Sequence, residues 1–244
     1  MSGRLARVLA RLRPPRPPRA LLRAWERDLA RLRPELAARG WAVMPSPRFE
    51  GGEHPEGYVD FECRFAAWHL RRARPASVLD VGSYRHFVLG LSAALDVTAV
   101  DVRDRRPGLG TEAVLTCDAR EIGAPDASFD AVVSLSSVEH FGLGRYGDPL
   151  DPEGDMRAVA EMRRVLRPGG VLVLTTTLTR GPRTVAFNAH RIYDLPSARA
   201  LCAGLERVDE RFFSLARREE CALDAVVDAP GAWDVYCGCW RRPG

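Results

Sequence analysis

The stretch from Ser77 to Asp101 constrains the fold of this 244-residue chain more than any other. It reads SVLDVGSYRHF and then VTAVDV, one apolar run ending in Asp-Val-Gly and a second ending in an acid. Short apolar runs of this kind, separated by a glycine turn and one helix length, are buried strands of a parallel sheet. In such a sheet ligands bind beyond the carboxyl ends of the strands. Gly82 lets the backbone approach a ligand there, and Asp101 offers two acceptor oxygens to ribose hydroxyls. The pattern predicts a nucleotide pocket.

The residues after Gly82 narrow the nucleotide. A dinucleotide fingerprint needs three glycines, because a pyrophosphate lies against bare backbone at a helix N-terminus. Here Gly82 is followed by Ser83, Tyr84, Arg85, His86 and Phe87. An NAD-dependent dehydrogenase is thereby the weakest reading. A ligand joining adenosine to a charged amino-acid tail needs one glycine, an acid for its ammonium group and an acid for its ribose, and Asp80 and Asp101 meet those needs.

The rest of the chain continues the alternation. EAVLTCD (Glu112 to Asp118) and FDAVVSLSS (Phe129 to Ser137) read as a third and a fourth strand. Asp155 to Leu166 carries Met156, Val159, Met162 and Val165 at helical spacing, and Arg167-Pro-Gly-Gly170 stops that helix before a fifth strand, GVLVLTTTL. Pro196 to Gly204 reads as a further helix. ERVDERFFSL and WDVYCGCWRR alternate, so they are expected to pair antiparallel at one edge of the sheet.

Charge separates the two ends. Residues 1–40 hold 11 Arg against Glu26, Asp28 and Glu35, a balance of +8, which leaves −4 on the remaining 204 residues. Within those 40 residues, Leu5, Val8, Leu9 and Leu12 mark one amphipathic helix, and Leu21, Leu22, Trp25, Leu29, Leu32 and Leu36 mark a second beyond a proline cluster. A capping helix with a basic leader is the reading preferred, ahead of a peripheral membrane contact, an RNA contact or a targeting peptide. Pro and Gly between Trp41 and Gly57 predict a linker or lid, and Tyr58 to Arg72 a helix leading into the sheet. The six cysteines include no Cys-x-x-Cys pair and follow no secretory segment, which predicts a reduced, cytoplasmic protein. Cys237 and Cys239 alternate along a strand and lack a second ligand pair, so no zinc site is expected.

Two sets of motifs carry a resemblance. Ser137-Val-Glu-His140 after the fourth strand and Arg167-Pro-Gly-Gly170 before the fifth are similar to motifs of the class I S-adenosylmethionine-dependent methyltransferases, over roughly Ser77 to Arg242. VEHFGLGRYGDPLDPEGD (Val138 to Asp155), FNAHRIY (Phe187 to Tyr193) and the terminal CGCW resemble a little-characterised family of methyltransferase-like proteins, DUF268. The chain departs from the usual first motif, Asp-x-Gly-x-Gly, in having Tyr84 at the second glycine. The resemblance implies a Rossmann-like α/β fold: a seven-stranded, mostly parallel sheet with helices on both faces, an antiparallel C-terminal edge hairpin and an N-terminal helical extension. The expected division is a basic extension with linker or lid, 1–57, and a methyltransferase domain, 58–244.

By position, the resemblance implies S-adenosylmethionine as cofactor. It places Asp80, Gly82 and Ser83 around the methionine part, Asp101 with Val102 at the ribose, Asp118 with Ala119 near the adenine amine, and Ser134, Leu135 and Ser136 at the fourth strand's end. An oxygen acceptor must also lose a proton. His140 and His190, two of five histidines, fall in the two most distinctive loops and are the candidate bases, with Glu139 orienting one of them or binding substrate. Tyr146, Asn188 and Arg191 are candidate substrate contacts. Asp148, Asp151 and Asp155 with Glu139 are hard oxygen ligands on one reading. The preferred reading makes Asp151-Pro-Glu-Gly-Asp155 a helix entrance, with no metal. The expected activity is O-methylation of a small molecule or glycan intermediate. A non-catalytic Rossmann-like binding module and a nucleic-acid methyltransferase are the rivals, the latter opposed by the acidic balance outside the leader.

Overall fold

The computed structural model describes residues 18–47, 57–104, 110 and 112–244. The chain divides into two units, Met1–His54 and Pro55–Gly244. In the first, the second predicted amphipathic segment forms helix α1 (Arg19–Ala38), which contains Pro34 and is followed by Gly40. The first predicted amphipathic segment, Leu5 to Leu12, and part of the Pro/Gly linker lie outside the described residues. Among the described residues no helix is long and apolar enough to cross a membrane.

The second unit opens with α2 (Tyr58–Ala73). Its start is fixed by the Asp60 carboxylate accepting the Gly57 N–H at 2.8 Å, and its end by Arg74 in the left-handed region before Pro75. The strands that follow are β1 (Ser77–Val81), β2 (Asp96–Asp101), β3 (Ala113–Thr116), β4 (Phe129–Leu135), β5 (Leu166–Leu178), β6 (Thr184–Ala186), β7 (His190–Ile192), β8 (Glu206–Ser214), β9 (Glu219–Cys221) and β10 (Asp234–Arg241). The helices between them are α3 (Arg85–Leu91), α4 (Gly154–Val165) and α5 (Leu195–Leu201).

The main sheet runs β3-β2-β1-β4-β5-β10-β8-β9, parallel from β3 to β5 and antiparallel beyond. Alternate side chains along each strand enter two cores. Leu79, Val81, Val132, Leu172 and Leu174 meet Val159 and Met162 of α4 on one face. Val78, Val97, Val133 and Val173 meet Phe61, Phe65 and Leu70 of α2 on the other. With both faces covered, the central strands read as continuous apolar runs rather than alternating ones. The chain leaves β1 toward β2 on one side and returns to β4 on the other. This reversal opens a crevice at the carboxyl ends of β1 and β4.

Four local expectations change. The sheet has eight strands among the described residues, one more than expected, because β9 adds to the outer edge of β8. β10 is an interior strand: Asp234 to Trp240 are all buried, and β5 and β8 flank it. Residues 167–170, read as a helix stop, also form the irregular start of β5, where the Gly169 N–H donates to the Arg242 carbonyl at 2.9 Å. Phe187 to Tyr193, read as a loop, spans the turn and second strand of the β6–β7 hairpin.

Candidate active site

A cleft lies at the reversal point. Its walls are the turn after β1 (Val81, Gly82), the end of β2 (Asp101, Val102, Arg103), the end of β3 (Cys117, Asp118, Ala119), the turn after β4 (Ser136, Ser137, His140) and the following loop (Phe141, Gly142, Tyr146, Asp148). Gly82 has φ +75°, and a Cβ there would stand 2.3 Å from the Ser137 hydroxyl oxygen, so two turns meet here with no room for a side chain. Of the residues expected around a cofactor, Gly82, Asp101, Val102, Asp118, Ala119 and Ser136 line this cleft. Asp80, Ser83, Ser134 and Leu135 brace the turn from behind. The Asp80 carboxylate accepts the Ser83 N–H at 3.2 Å, the Ser83 hydroxyl accepts the Leu135 N–H at 3.0 Å, and the Ser134 hydroxyl donates to the Val81 carbonyl at 3.0 Å.

Tyr84, the departure from the usual glycine pattern, points away from the cleft. Its ring packs on the α2 side of the sheet, and its hydroxyl donates to Glu62 at 2.6 Å. The other Glu62 oxygen accepts from the Ser136 hydroxyl at 2.6 Å. Ser136 has φ +45°, a conformation costing about 1–2 kcal/mol for a residue with a side chain, and it is held there by Glu62 and by Thr175, whose hydroxyl accepts the Ser136 N–H at 2.9 Å. Glu62 is wholly buried, and that burial raises its pKa against the pull of its hydroxyl partners. Sequence reading missed Glu62. Its signal was an acid beside Phe61 on the apolar stripe of α2.

His140 and His190 are brought together, with ring centroids 6.3 Å apart, and His190 in turn meets Trp233 at 5.9 Å. His140 lines the cleft; His190, on β7, stands behind it. The His140 Nδ1 lies 2.7 Å from the Ala189 carbonyl and 3.1 Å from Nη1 of Arg145; the tautomer in which Nδ1 donates to the carbonyl leaves Nε2 with its lone pair. Burial, reinforced by Arg145 and His190, pushes the His140 pKa down to about 4 despite that hydrogen bond. His190 is lowered too, by burial and then by Arg145.

Glu139, expected to orient a histidine or to bind substrate, does not line the cleft. It is 3% exposed, accepts from the Thr176 hydroxyl at 3.0 Å, and sits beneath the histidine with 4.0 Å between its Oε1 and Nε2 of His140. Burial, with Glu62 adding repulsion, raises its pKa to about 8.

The substrate candidates separate in the same way. Tyr146 lines the cleft and is 43% exposed. Asn188 is exposed at the turn of the β6–β7 hairpin. Arg191 is a buried clamp. It donates to the carbonyls of Phe141 at 2.6 Å, Pro152 at 3.2 Å and Asp151 at 3.3 Å, and pairs with Asp155 at 3.4 Å. Such a side chain holds the loop, and its donors are occupied. The nearby acids are likewise structural: Asp148 accepts the N–H groups of Gly142, Gly144 and Tyr146, Asp151 accepts that of Glu153, and Asp155 accepts the Tyr193 hydroxyl. Among the described residues no group of three His, Cys, Asp or Glu side chains is placed to hold a metal ion. Cys237 and Cys239 lie in the apolar core on the α2 side, where burial raises both thiols.

The loop itself depends on Gly142. It has φ +75°, and a Cβ there would lie 2.2 Å from the Asp151 carbonyl oxygen, a backbone atom. Gly142→Ala is therefore expected to cost about 3 kcal/mol or more, read as a fall in the urea midpoint at unchanged slope. A midpoint within error of wild type would refute this tight approach.

Comparison with known proteins agrees with the geometry. Residues 113–227 match the family model described as Caenorhabditis protein of unknown function, DUF268. The mouse protein named probable tRNA methyltransferase 9B is 29% identical over 126 residues, 52% of this chain and 25% of that protein, so the match spans about a quarter of that relative's length. Among solved structures, the 1,6-didemethyltoxoflavin-N1-methyltransferase of Burkholderia thailandensis, crystallised with its substrate and S-adenosylhomocysteine, superposes with TM-score 0.57 at 18% identity, covering 95% of this chain and 93% of that one. The [4+2]-cyclase SpnF superposes with TM-score 0.55 at 18% identity, covering 88% and 92%. The chain has the fold of the class I S-adenosylmethionine-dependent methyltransferases, and residues 113–227 match the DUF268 family model.

Proposed function

We propose that the cleft binds S-adenosylmethionine and that the protein methylates an oxygen of a small molecule or glycan intermediate. The observation that carries this reading is the convergence of Gly82, Asp101 and Asp118 from three parallel strand ends on one cleft. The outward Tyr84 leaves the turn after β1 open to an aminoacyl tail. Asp101 supplies acceptors for ribose hydroxyls, and Ala119 lies where an adenine edge would pass. When bound, this cofactor supplies an electrophilic methyl group.

The chain's own residues do the rest. Gly82, Ser136 and Asp101 would orient the cofactor, and Tyr146 and Phe141 would cover the acceptor and exclude water. Nε2 of His140 would take the acceptor proton. Positioning of this kind contributes up to about 7–11 kcal/mol to a bimolecular displacement. The domain reading is an appendage, 1–57, carried on a methyltransferase domain, 58–244.

Titration calorimetry tests the pocket. S-adenosylmethionine and S-adenosylhomocysteine are expected to bind with micromolar affinity and NAD not to bind. Asp101→Ala is expected to weaken S-adenosylhomocysteine about ten- to hundred-fold through lost charge-assisted hydrogen bonds. Unchanged affinity in that variant would sink the ribose assignment. Two observations favour a second reading, a nucleic-acid acceptor: the likeness to the mouse protein and the +8 balance of residues 1–40. A steep fall of RNA affinity with salt would support it. The −4 balance of the rest of the chain favours the small molecule.

A further inference from the structure

Both acidic strand ends in the cleft carry the same short pattern, an aspartate followed two residues later by an arginine that grips it. At β3, Arg120 donates to Asp118 through Nε at 2.9 Å and Nη2 at 2.5 Å. At β2, Arg103 donates to Asp101 through Nε at 2.9 Å and Nη2 at 2.9 Å. The two arginines differ in their surroundings. The Arg120 side chain is 13% exposed and reaches on to the Pro149 carbonyl and Asp151, so it is built into the loop. The Arg103 side chain is 64% exposed, lines the cleft and lies 5.1 Å over the Tyr146 ring.

The Arg103 fork holds the same acceptor atoms that a ribose would use. A carboxylate has about four lone-pair sites. Arg103 occupies three at Asp101, two through the guanidinium and one through its backbone N–H, which donates to Oδ1 at 3.0 Å. With the backbone N–H in place, two ribose hydroxyls and the fork do not fit together. The backbone N–H can stay; the guanidinium must leave.

A guanidinium leaving Asp101 remains at the cleft mouth beside Tyr146, where Arg145 already lies 5.4 Å from the same ring. Burial keeps His140 and His190 neutral at pH 7. The Asp148 carboxylate is occupied by three backbone N–H groups. Among the described residues the mouth thus brings two arginines together, where the Asp101 and Asp148 carboxylates already accept hydrogen bonds.

We propose that the cofactor's ribose displaces Arg103 from Asp101, and that the released guanidinium binds an anionic acceptor carrying a carboxylate or phosphate. This rests on the cofactor reading above and deepens it by naming the charge of the acceptor. Arg103 is then the residue through which cofactor binding prepares the acceptor site, with cofactor first and acceptor second. Planar, charge-assisted recognition of carboxylate or phosphate is what an arginine fork does well.

The test is titration calorimetry of S-adenosylhomocysteine against the full chain, the Arg103→Ala variant and the Arg103→Lys variant, each checked by thermal melting. Arg103→Ala is expected to bind about three- to ten-fold more tightly than wild type, because the competing fork is gone and Asp101 remains. Arg103→Lys should fall between them. Inorganic phosphate or acetate, compared with chloride at matched ionic strength, should tighten binding to wild type about twofold or more by reciprocal coupling, and should not do so in Arg103→Ala. The larger effect of the two anions distinguishes a phosphorylated from a carboxylated acceptor. Weaker or unchanged binding in Arg103→Ala overturns the displacement. An anion effect that is missing in wild type, or that survives in Arg103→Ala, overturns the hand-over. Failure of wild type to bind S-adenosylhomocysteine overturns the cofactor reading itself.

Discussion

Replacing His140 by alanine is expected to slow methyl transfer to a hydroxyl acceptor by about two orders of magnitude or more, while S-adenosylhomocysteine affinity stays within about threefold. In the tautomer whose Nδ1 donates to the Ala189 carbonyl at 2.7 Å, Nε2 is the acceptor, and the ring forms part of the cleft wall. His190 lacks that position, so His190→Ala should change turnover by less than about threefold. Either histidine was eligible in the sequence, and the cleft separates them. The pH profile supplies an independent check. Burial holds His140 neutral down to about pH 4, so the acid limb of kcat should fall with an apparent pKa near 4 rather than near 6.5. Near-wild-type turnover in His140→Ala, or an acid limb near 6.5, would remove His140 from the role of base.

The second large effect concerns stability above neutral pH. Glu139 has its pKa raised to about 8 in the folded protein, against about 4.5 when unfolded. Between those values the folded state holds a proton that the unfolded state has lost, so stability falls as pH rises. His140 works in the opposite sense. Its folded value of about 4 lies below its unfolded 6.5, so between those values stability rises with pH. The two trends oppose each other from about pH 4.5 to 6.5, and above 6.5 the Glu139 trend acts without that opposition. At about 1.4 kcal/mol per pH unit, the chain is expected to lose on the order of 2 kcal/mol between pH 6.5 and 8, read from urea midpoints. Glu139→Gln keeps the shape and a hydrogen bond to Thr176 but cannot ionise, so its stability should be nearly flat across the same interval. A wild-type curve equally flat there would contradict the buried, protonated Glu139.

Much of this architecture could be read without coordinates, for a definite reason. The central strands are covered on both faces, so they appear as unbroken apolar runs, and each ends where a glycine or an acid breaks the run. Gly82, Asp101 and Asp118 were visible because they sit at those breaks. Residues whose roles depend on partners far along the chain were not visible. Glu62 acts through Ser136, 74 positions away, and Arg191 through Phe141, 50 positions away. Arg191 looked like a substrate donor because an arginine beside a histidine in a distinctive segment reads as recognition. Three loop carbonyls and Asp155 make it a clamp.

Local pattern alone determined the alternation of strands and helices, the order of the parallel strands' acidic ends and the single glycine that excludes a dinucleotide, because these depend on burial periodicity and backbone freedom within a few residues. The tertiary structure decided which side chains face the cleft. It turned Tyr84 outward onto Glu62, set His140 on the wall with His190 behind it, buried Glu139 and closed the Asp101 carboxylate with Arg103. These outcomes depend on desolvation and on hydrogen bonds between distant segments, and neither leaves a periodic trace in a sequence.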